Sequence, residues 1–397
     1  MIIGIPKKKI GNDAWCYVSA QATFGGKTED VWYSTEEEYE EFLVDDRLDA
    51  FVIPFLPYAM THGEDIICEA PVTNRLLYQL NHYLIPLLTK HIEGFKPIKI
   101  VAKGTNVVLP CAKAVGTGWT GGVDSMYTVM KHRNIDNRHY QLTHLVIANC
   151  GTFESDDNSG LLRYALNKAR NGFAKETRLK VVGIDSNIQG VLQEGYYSVG
   201  IFRLAAAILI LQKLFSVFYH SGSNELGQLK FSKENCSEYE MLPLWMYETD
   251  TTHFYSAGSD KTRIQKIESL ADFPLAHKYL HPCIYQKQDK NCGNCGKCSR
   301  TIGALYALGV LDKFSQVFDV DAFYNNMDDY LAEMILSSGS KYYKEIIDLL
   351  KDKGIYDKIV TENVKHKEAM LLRGRYSHNR EKLQNDKNRK SISQDLR

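Results

Sequence analysis

No apolar run in this chain approaches the roughly 20 residues that a helix needs to cross a bilayer. The longest, Leu204 to Phe218, is cut by Gln212 and Lys213 and reads as a buried helix. No membrane partner is therefore expected. The first nine residues place apolar side chains ahead of three lysines, the reverse of a secretory leader. Net charge is missing too. The 48 Lys and Arg balance 48 Asp and Glu, which removes the electrostatic footprint that nucleic-acid binding requires, so nucleic acid is not an expected partner. The cysteines do not suggest a disulfide framework. Five of the nine are scattered, at Cys16, Cys68, Cys111, Cys150 and Cys236, and four crowd between Cys283 and Cys298. A cytoplasmic protein is expected, and in that reducing compartment a tight cluster reads as a metal site.

Three compositional zones follow one another. Residues 1–112 are expected to form an N-terminal α+β unit. Short β-type runs at Ala14–Val18 and Asp30–Tyr33 precede Ser34 and Glu37, whose spacing predicts a capping box opening an acidic helix. Ala50–Leu56 reads as an edge strand because it contains Pro54. Thr73 is expected to cap a helix with a leucine-rich face, and Ile98–Ala102 to close the unit as a strand. From 113 to 310 strands and helices alternate. Strands are predicted at Ala114–Gly118, Thr143–Asn149, Leu179–Ile184 and Ser216–Tyr219, with helices between them. This is the pattern of an α/β fold with a doubly wound parallel sheet. In such sheets ligands bind outside the carboxyl ends of the strands. Residues 311–373 carry helical periodicity, with helices expected at 320–337, 340–353 and 356–372, and the basic tail 374–397 reads as solvated and disordered.

One strand-to-helix junction is rich in glycine and hydroxyls: Thr120-Gly121-Gly122-Val123-Asp124-Ser125. Gly121 and Gly122 let the backbone approach a ligand, and the following helix presents free N–H groups at its positive end. Thr120 and Ser125 add hydroxyls. Together these make a nest for phosphate oxygens. A Walker A loop is lacking: Gly26-Lys27-Thr28 has Gln21 where that motif needs glycine. A plain turn would also use Gly-Gly and Asp-Ser, but the position at the first strand-helix junction favours ligand binding.

Cys283, Cys292, Cys295 and Cys298 form C-x8-C-x2-C-x2-C. Two C-x2-C steps set three thiolates around one point, and Cys283 completes a four-thiolate site. Zn²⁺ is expected over an iron–sulfur cluster. With four protein ligands and no open position, the role is structural.

The loop resembles the Ser-Gly-Gly-x-Asp-Ser signature of PP-loop, or N-type, ATP pyrophosphatases. The resemblance implies an adenine nucleotide alpha hydrolase-like, Rossmann-like fold that cleaves ATP between the α- and β-phosphates. It implies that Gly121, Gly122, Val123 and Ser125 hold pyrophosphate, with Thr120 in place of the usual serine, and that Asp124 assists Mg²⁺ or fixes the loop. Loop and cysteine spacing together resemble the 7-cyano-7-deazaguanine synthase family over residues 113–305. That family activates a carboxylate with ATP, forms the amide with ammonia and dehydrates it to a nitrile. Asp260 to Ile267 is similar to its lysine-rich helix start, which points to Lys261 and Arg263 as catalytic cations beside Asp124 and Ser125. The family's Pro-Gly-Arg-Asn segment is replaced by Tyr196-Tyr197-Ser198-Val199-Gly200-Ile201-Phe202-Arg203, so a different substrate pocket is expected.

The expected activity is thus an ATP-dependent ligase or amidotransferase acting on a small-molecule carboxylate with ammonia or an amine. A homodimer is among the expected assemblies. The rivals are a sulfur transferase acting on a nucleobase and a non-catalytic, zinc-stapled nucleotide-binding protein. Arg203 reads equally as an anion ligand or a structural ion pair. Ser221-Gly222-Ser223-Asn224 follows a strand, where a ligand is expected. His277 and His281 flank the cysteines without being needed as ligands.

Overall fold

The computed structural model describes residues 1–11, 13–153, 158–284, 290–337 and 339–357. They divide into two compact units, one ending at His281 and the other beginning at Pro282. The helix expected at 356–372 and the tail 374–397 fall almost wholly outside the described residues.

The first unit is built on a mixed, mostly parallel sheet. Its strands are β1 (Ile2–Ile3), β2 (Lys7–Ile10), β3 (Trp15–Phe24), β4 (Lys27–Glu36), β5 (Ile66–Cys68), β7 (Ile100–Val101), β9 (Ala114–Gly118), β10 (His144–Asn149), β11 (Lys180–Ser186), β12 (Phe215–Ser221) and β13 (His253–Ala257). Two further short strands, β6 (Val72–Thr73) and β8 (Gly104–Thr105), pair with each other. The sheet order is β13-β12-β9-β10-β11-β4-β3-β1-β5-β7, with β2 beside β3. The five strands from β13 to β11 are all parallel to their neighbours. Within them the chain runs outward from β9 through β10 to β11, then returns to the other side of β9 for β12 and β13. The order reverses between β9 and β12, which is where open α/β sheets bind ligands.

Helices cover both faces of the parallel strands. Val123–His132 packs on β9 and β12, and Asn158–Ala169 on β10 and β11. On the other face Val146, Val182, Ile184, Phe215 and Phe218 share one core with Phe202, Ala206 and Leu209 of the helix Tyr196–Leu209. That helix is apolar around most of its girth because it is enclosed. The run from Leu204 to Phe218 is not one helix as expected, since the helix stops at Leu209 and Phe215 begins β12.

The sheet runs straight through the boundary expected at residue 112. Strand β4 lies antiparallel to β11, with Ser34 opposite Asp185. This pairing corrects the capping-box expectation. Ser34 is buried inside β4, and Glu37–Phe42 forms a 3-10 stretch with no side-chain cap. Ala50–Leu56 is helical rather than an edge strand. Asp49–Val52 runs into Ile53–Phe55 and then Leu56–His62, with Pro54 and Pro57 in first-turn positions that need no N–H donor. A fully apolar run has no period with which to tell a strand from a buried helix. Thr73 does precede a helix, Asn74–Gln79, but its hydroxyl donates to buried Asp49 at 2.5 Å instead of capping.

In the second unit the helix Gly296–Leu308 packs with Met327–Leu336 and Lys341–Asp352 around Ile302, Leu305, Leu331, Ile346 and Leu350. The single helix expected at 320–337 is broken near Asn326 into Val320–Asn325 and Met327–Leu336.

Candidate functional site

The loop 120–125 leaves the carboxyl end of β9 and enters the helix Val123–His132 at Gly122. Gly121 has φ +72°, a conformation that disfavours any side chain, and its carbonyl accepts a 2.7 Å bond from His281 N–H. The loop is laced by its own hydroxyls. Thr120 Oγ1 lies 3.2 Å from Ser125 Oγ and accepts from Gly122 N–H at 3.3 Å, and Ser125 Oγ donates to Gly122 O at 3.1 Å. Met126 N–H is the first in the helix to reach a carbonyl, Gly122 O at 2.9 Å. The N–H groups of Val123, Asp124 and Ser125 are the orphan donors of a helix start, with the positive end of the dipole behind them. Thr120 is exposed, while Ser125 is buried beneath it.

Asp124 gathers two cations. Arg263 Nη1 is 2.8 Å from Oδ2 and Lys266 Nζ is 3.2 Å from Oδ1. Lys266 is fully buried and also donates to Gly222 O at 2.6 Å, tying the loop after β9 to the loop after β12 across the reversal point. Burial pushes the Asp124 carboxyl up, but Arg263 and Lys266 outweigh it and hold it below its ordinary range. Both cations lie on the helix Arg263–Leu270. Thr262 caps it through a full capping box with Gln265, so the first turn is rigid where it meets the loop. Of the expected cations, Arg263 reaches Asp124. Lys261 makes no side-chain hydrogen bond or ion pair among the described residues. Lys266 was the residue that the sequence concealed. Its signal was its place one turn after Arg263, on the same helix face.

Ser221-Gly222-Ser223-Asn224 sits beside this site. Ser223 donates to Glu240 Oε1 through N–H at 2.7 Å and through Oγ at 2.8 Å. His277 Nε2 lies 2.9 Å from Ala271 O.

In the second unit, the Sγ atoms of Cys283, Cys292, Cys295 and Cys298 all lie within 4.8 Å of one another. Zinc with four sulfurs at about 2.3 Å sets those sulfurs about 3.8 Å apart, so the four thiols fit a tetrahedral metal with little movement. Cys292 and Cys298 are already at 3.9 Å. Cys295 N–H donates to Cys292 Sγ at 3.3 Å. Cys298 lies in the first turn of Gly296–Leu308, whose positive end favours thiolate. Asn291 braces Cys283, accepting from its N–H at 3.2 Å and donating to Val317 O at 2.9 Å. Tyr330 Oη donates to Gly293 O, which holds the turn between Cys292 and Cys295. Burial raises the Cys298 thiol. It opposes ionisation at Cys295 as well, but N–H groups and neighbouring sulfurs bring that thiol down to about 7. The cluster can hold a metal such as zinc.

Comparison with known protein families, curated proteins and solved structures returned no match for this chain. Among the described residues, no helix is long and apolar enough to cross a membrane.

Proposed function

We propose that this chain is an ATP-dependent, carbon–nitrogen bond-forming ligase with an adenine nucleotide alpha hydrolase-like sheet. The observation that carries this reading is the convergence of buried Lys266 and part-buried Arg263 on the aspartate of a phosphate-type loop, at the point where strand order reverses. Two fixed cations beside a nest of N–H groups suit a site where negative charge builds up on a departing pyrophosphate.

A substrate carboxylate oxygen attacks the α-phosphorus of ATP, and the bond from that phosphorus to the α,β-bridging oxygen breaks. Pyrophosphate leaves with the electron pair, held by Gly121, Gly122, Val123 and Ser125. Ammonia or an amine then attacks the acyl carbon, AMP departs, and a proton from nitrogen passes to solvent. Repetition on the amide oxygen yields a nitrile. Positioning and electrostatics account for the rate, because the loop is already folded around the place where the phosphates sit. Both Asp124 oxygens face cations, which suits a residue that fixes the loop and does not suit a magnesium ligand. Zinc, when bound by the four cysteines, supplies structural cross-linking of the second unit.

The test mixes protein, ATP and a panel of carboxylic acids, with 7-carboxy-7-deazaguanine first, and measures AMP and pyrophosphate. Release that falls at least 100-fold in Ser125→Ala is expected. No release with any acid, or equal release from both proteins, sinks the reading. Iron and sulfide in anaerobically prepared protein would favour sulfur transfer instead.

A further inference from the structure

Arg203 is fully buried in the middle of the helix Tyr196–Leu209, yet no carboxylate among the described residues forms an ion pair with it. Its Nη1 donates to Gln189 Oε1 and its Nη2 to the backbone carbonyl of Glu194 at 3.2 Å, while Nε has no acceptor. Two neutral oxygens are poor compensation for a guanidinium withdrawn from water. Other polar atoms around it are also unmet. Glu194 Oε2 and Tyr33 Oη, both within electrostatic reach of the guanidinium, are buried without partners. His220 Nδ1 is a further orphan, and its Nε2 lies 3.1 Å from Glu240 Oε2 but out of line for a hydrogen bond.

Unmet polar atoms in a native interior call for a missing partner. Their place in the fold points to which one. Gly151 follows β10, Gln189 and Glu194 follow β11, and His220 is near the end of β12, so all lie at the carboxyl edge that also carries the loop 120–125. Gly151 has φ +100°, and a Cβ there would come within 2.8 Å of Arg203 Nη1. The backbone is thus shaped around the guanidinium at the sheet edge.

We infer that Arg203 is the anion-binding residue of the acceptor subsite, receiving a carboxylate of the substrate while Glu194 and the His220–Glu240 pair take its polar remainder. This rests on the ligase reading and adds the acceptor's location.

The experiment is thermal unfolding of the full chain in sodium acetate or sodium benzoate against sodium chloride of equal ionic strength. Saturating carboxylate is expected to raise the wild-type melting temperature by about 3 °C or more. Arg203→Met should lose the shift, and Arg203→Lys, which keeps the charge, should retain part of it. Without carboxylate, Arg203→Met should melt close to wild type, because the buried guanidinium that it removes is hydrogen-bonded only to neutral oxygens. An equal shift in wild type and Arg203→Met, no shift in wild type, or a much lower melting point for Arg203→Met overturns the assignment. No ATP is present, so the shift does not depend on pyrophosphate release. Failure of this test and failure of pyrophosphate release are therefore separate results.

Discussion

Replacing Lys266 by methionine tests whether its ion pair with Asp124 holds the site together. Arg263 and Lys266 stand 2.8 and 3.2 Å from the two oxygens of Asp124. At an effective dielectric of about 20 the two attractions are about 6 and about 5 kcal/mol, before the cost of drying the charges. Lys266 side-chain exposure is 1%, so that cost was met in full on folding, and methionine removes it along with the attraction. What remains is Asp124 with one cation instead of two and a Gly222 carbonyl without its donor. Breaking a buried pair from one side costs about 3–5 kcal/mol. Because Arg263 stays, about 3 kcal/mol is expected, read from urea unfolding of the first unit. The control is Lys261→Met on the preceding turn, which should stay within about 0.5 kcal/mol of wild type. In a double-mutant cycle, Asp124→Asn and Lys266→Met should couple by more than about 1 kcal/mol. A Lys266→Met protein within 1 kcal/mol of wild type, or a cycle that closes additively, would refute the pairing and with it the two-cation account of the loop.

Elemental analysis should find one zinc per chain, and Cys298→Ser should lose it. Chelation should unfold residues 282–357 as followed by proteolysis, while a metal-free protein that resists protease as well as the loaded one contradicts the structural role. Two histidines set an acid limit. Burial lowers His144 and His132 from 6.5 to about 4, helped by Lys180 and Lys131 respectively. A histidine kept neutral by the fold contributes stability that is complete above pH 6.5 and is lost as pH falls toward 4. At about 1.4 kcal/mol per tenfold change in proton affinity, buried His144 is worth on the order of 3 kcal/mol. His144→Phe should flatten the decline in unfolding free energy between pH 6.5 and 4, and an unchanged slope argues against the burial effect.

Local signals in the sequence were enough to mark both candidate sites. Gly-Gly next to Asp-Ser after a strand can be read without coordinates, because a strand-loop-helix turn is specified within six residues. The cysteine cluster can be read for the same reason: three of its four thiols lie within seven residues, and the fold brings all four sulfurs together. The parallel strands β9 to β12 showed as buried apolar runs between helices. Strand β13 did not show, since His253-Phe-Tyr-Ser-Ala is short and lacks an apolar run.

Other features depended on partners far away in the chain. Tertiary structure decided that β4 joins the parallel strands through β11, because edge pairing is a contest among all exposed strand edges and leaves no mark on residues 27–36 alone. It decided that Ala50–Leu56 is helical, since a run buried on every side carries no periodicity. It chose Lys266 over Lys261 for Asp124, because Lys261 lies ahead of the Thr262 cap and outside the helix, whereas Lys266 sits one turn after Arg263 on the same helix face. It left Arg203 buried with no ion pair among the described residues, a cost that becomes visible only once every neighbour is in place. The sequence by itself determined the glycine-rich loop and the spacing of the four cysteines; the fold determined which charges face that loop and brought the four sulfurs together.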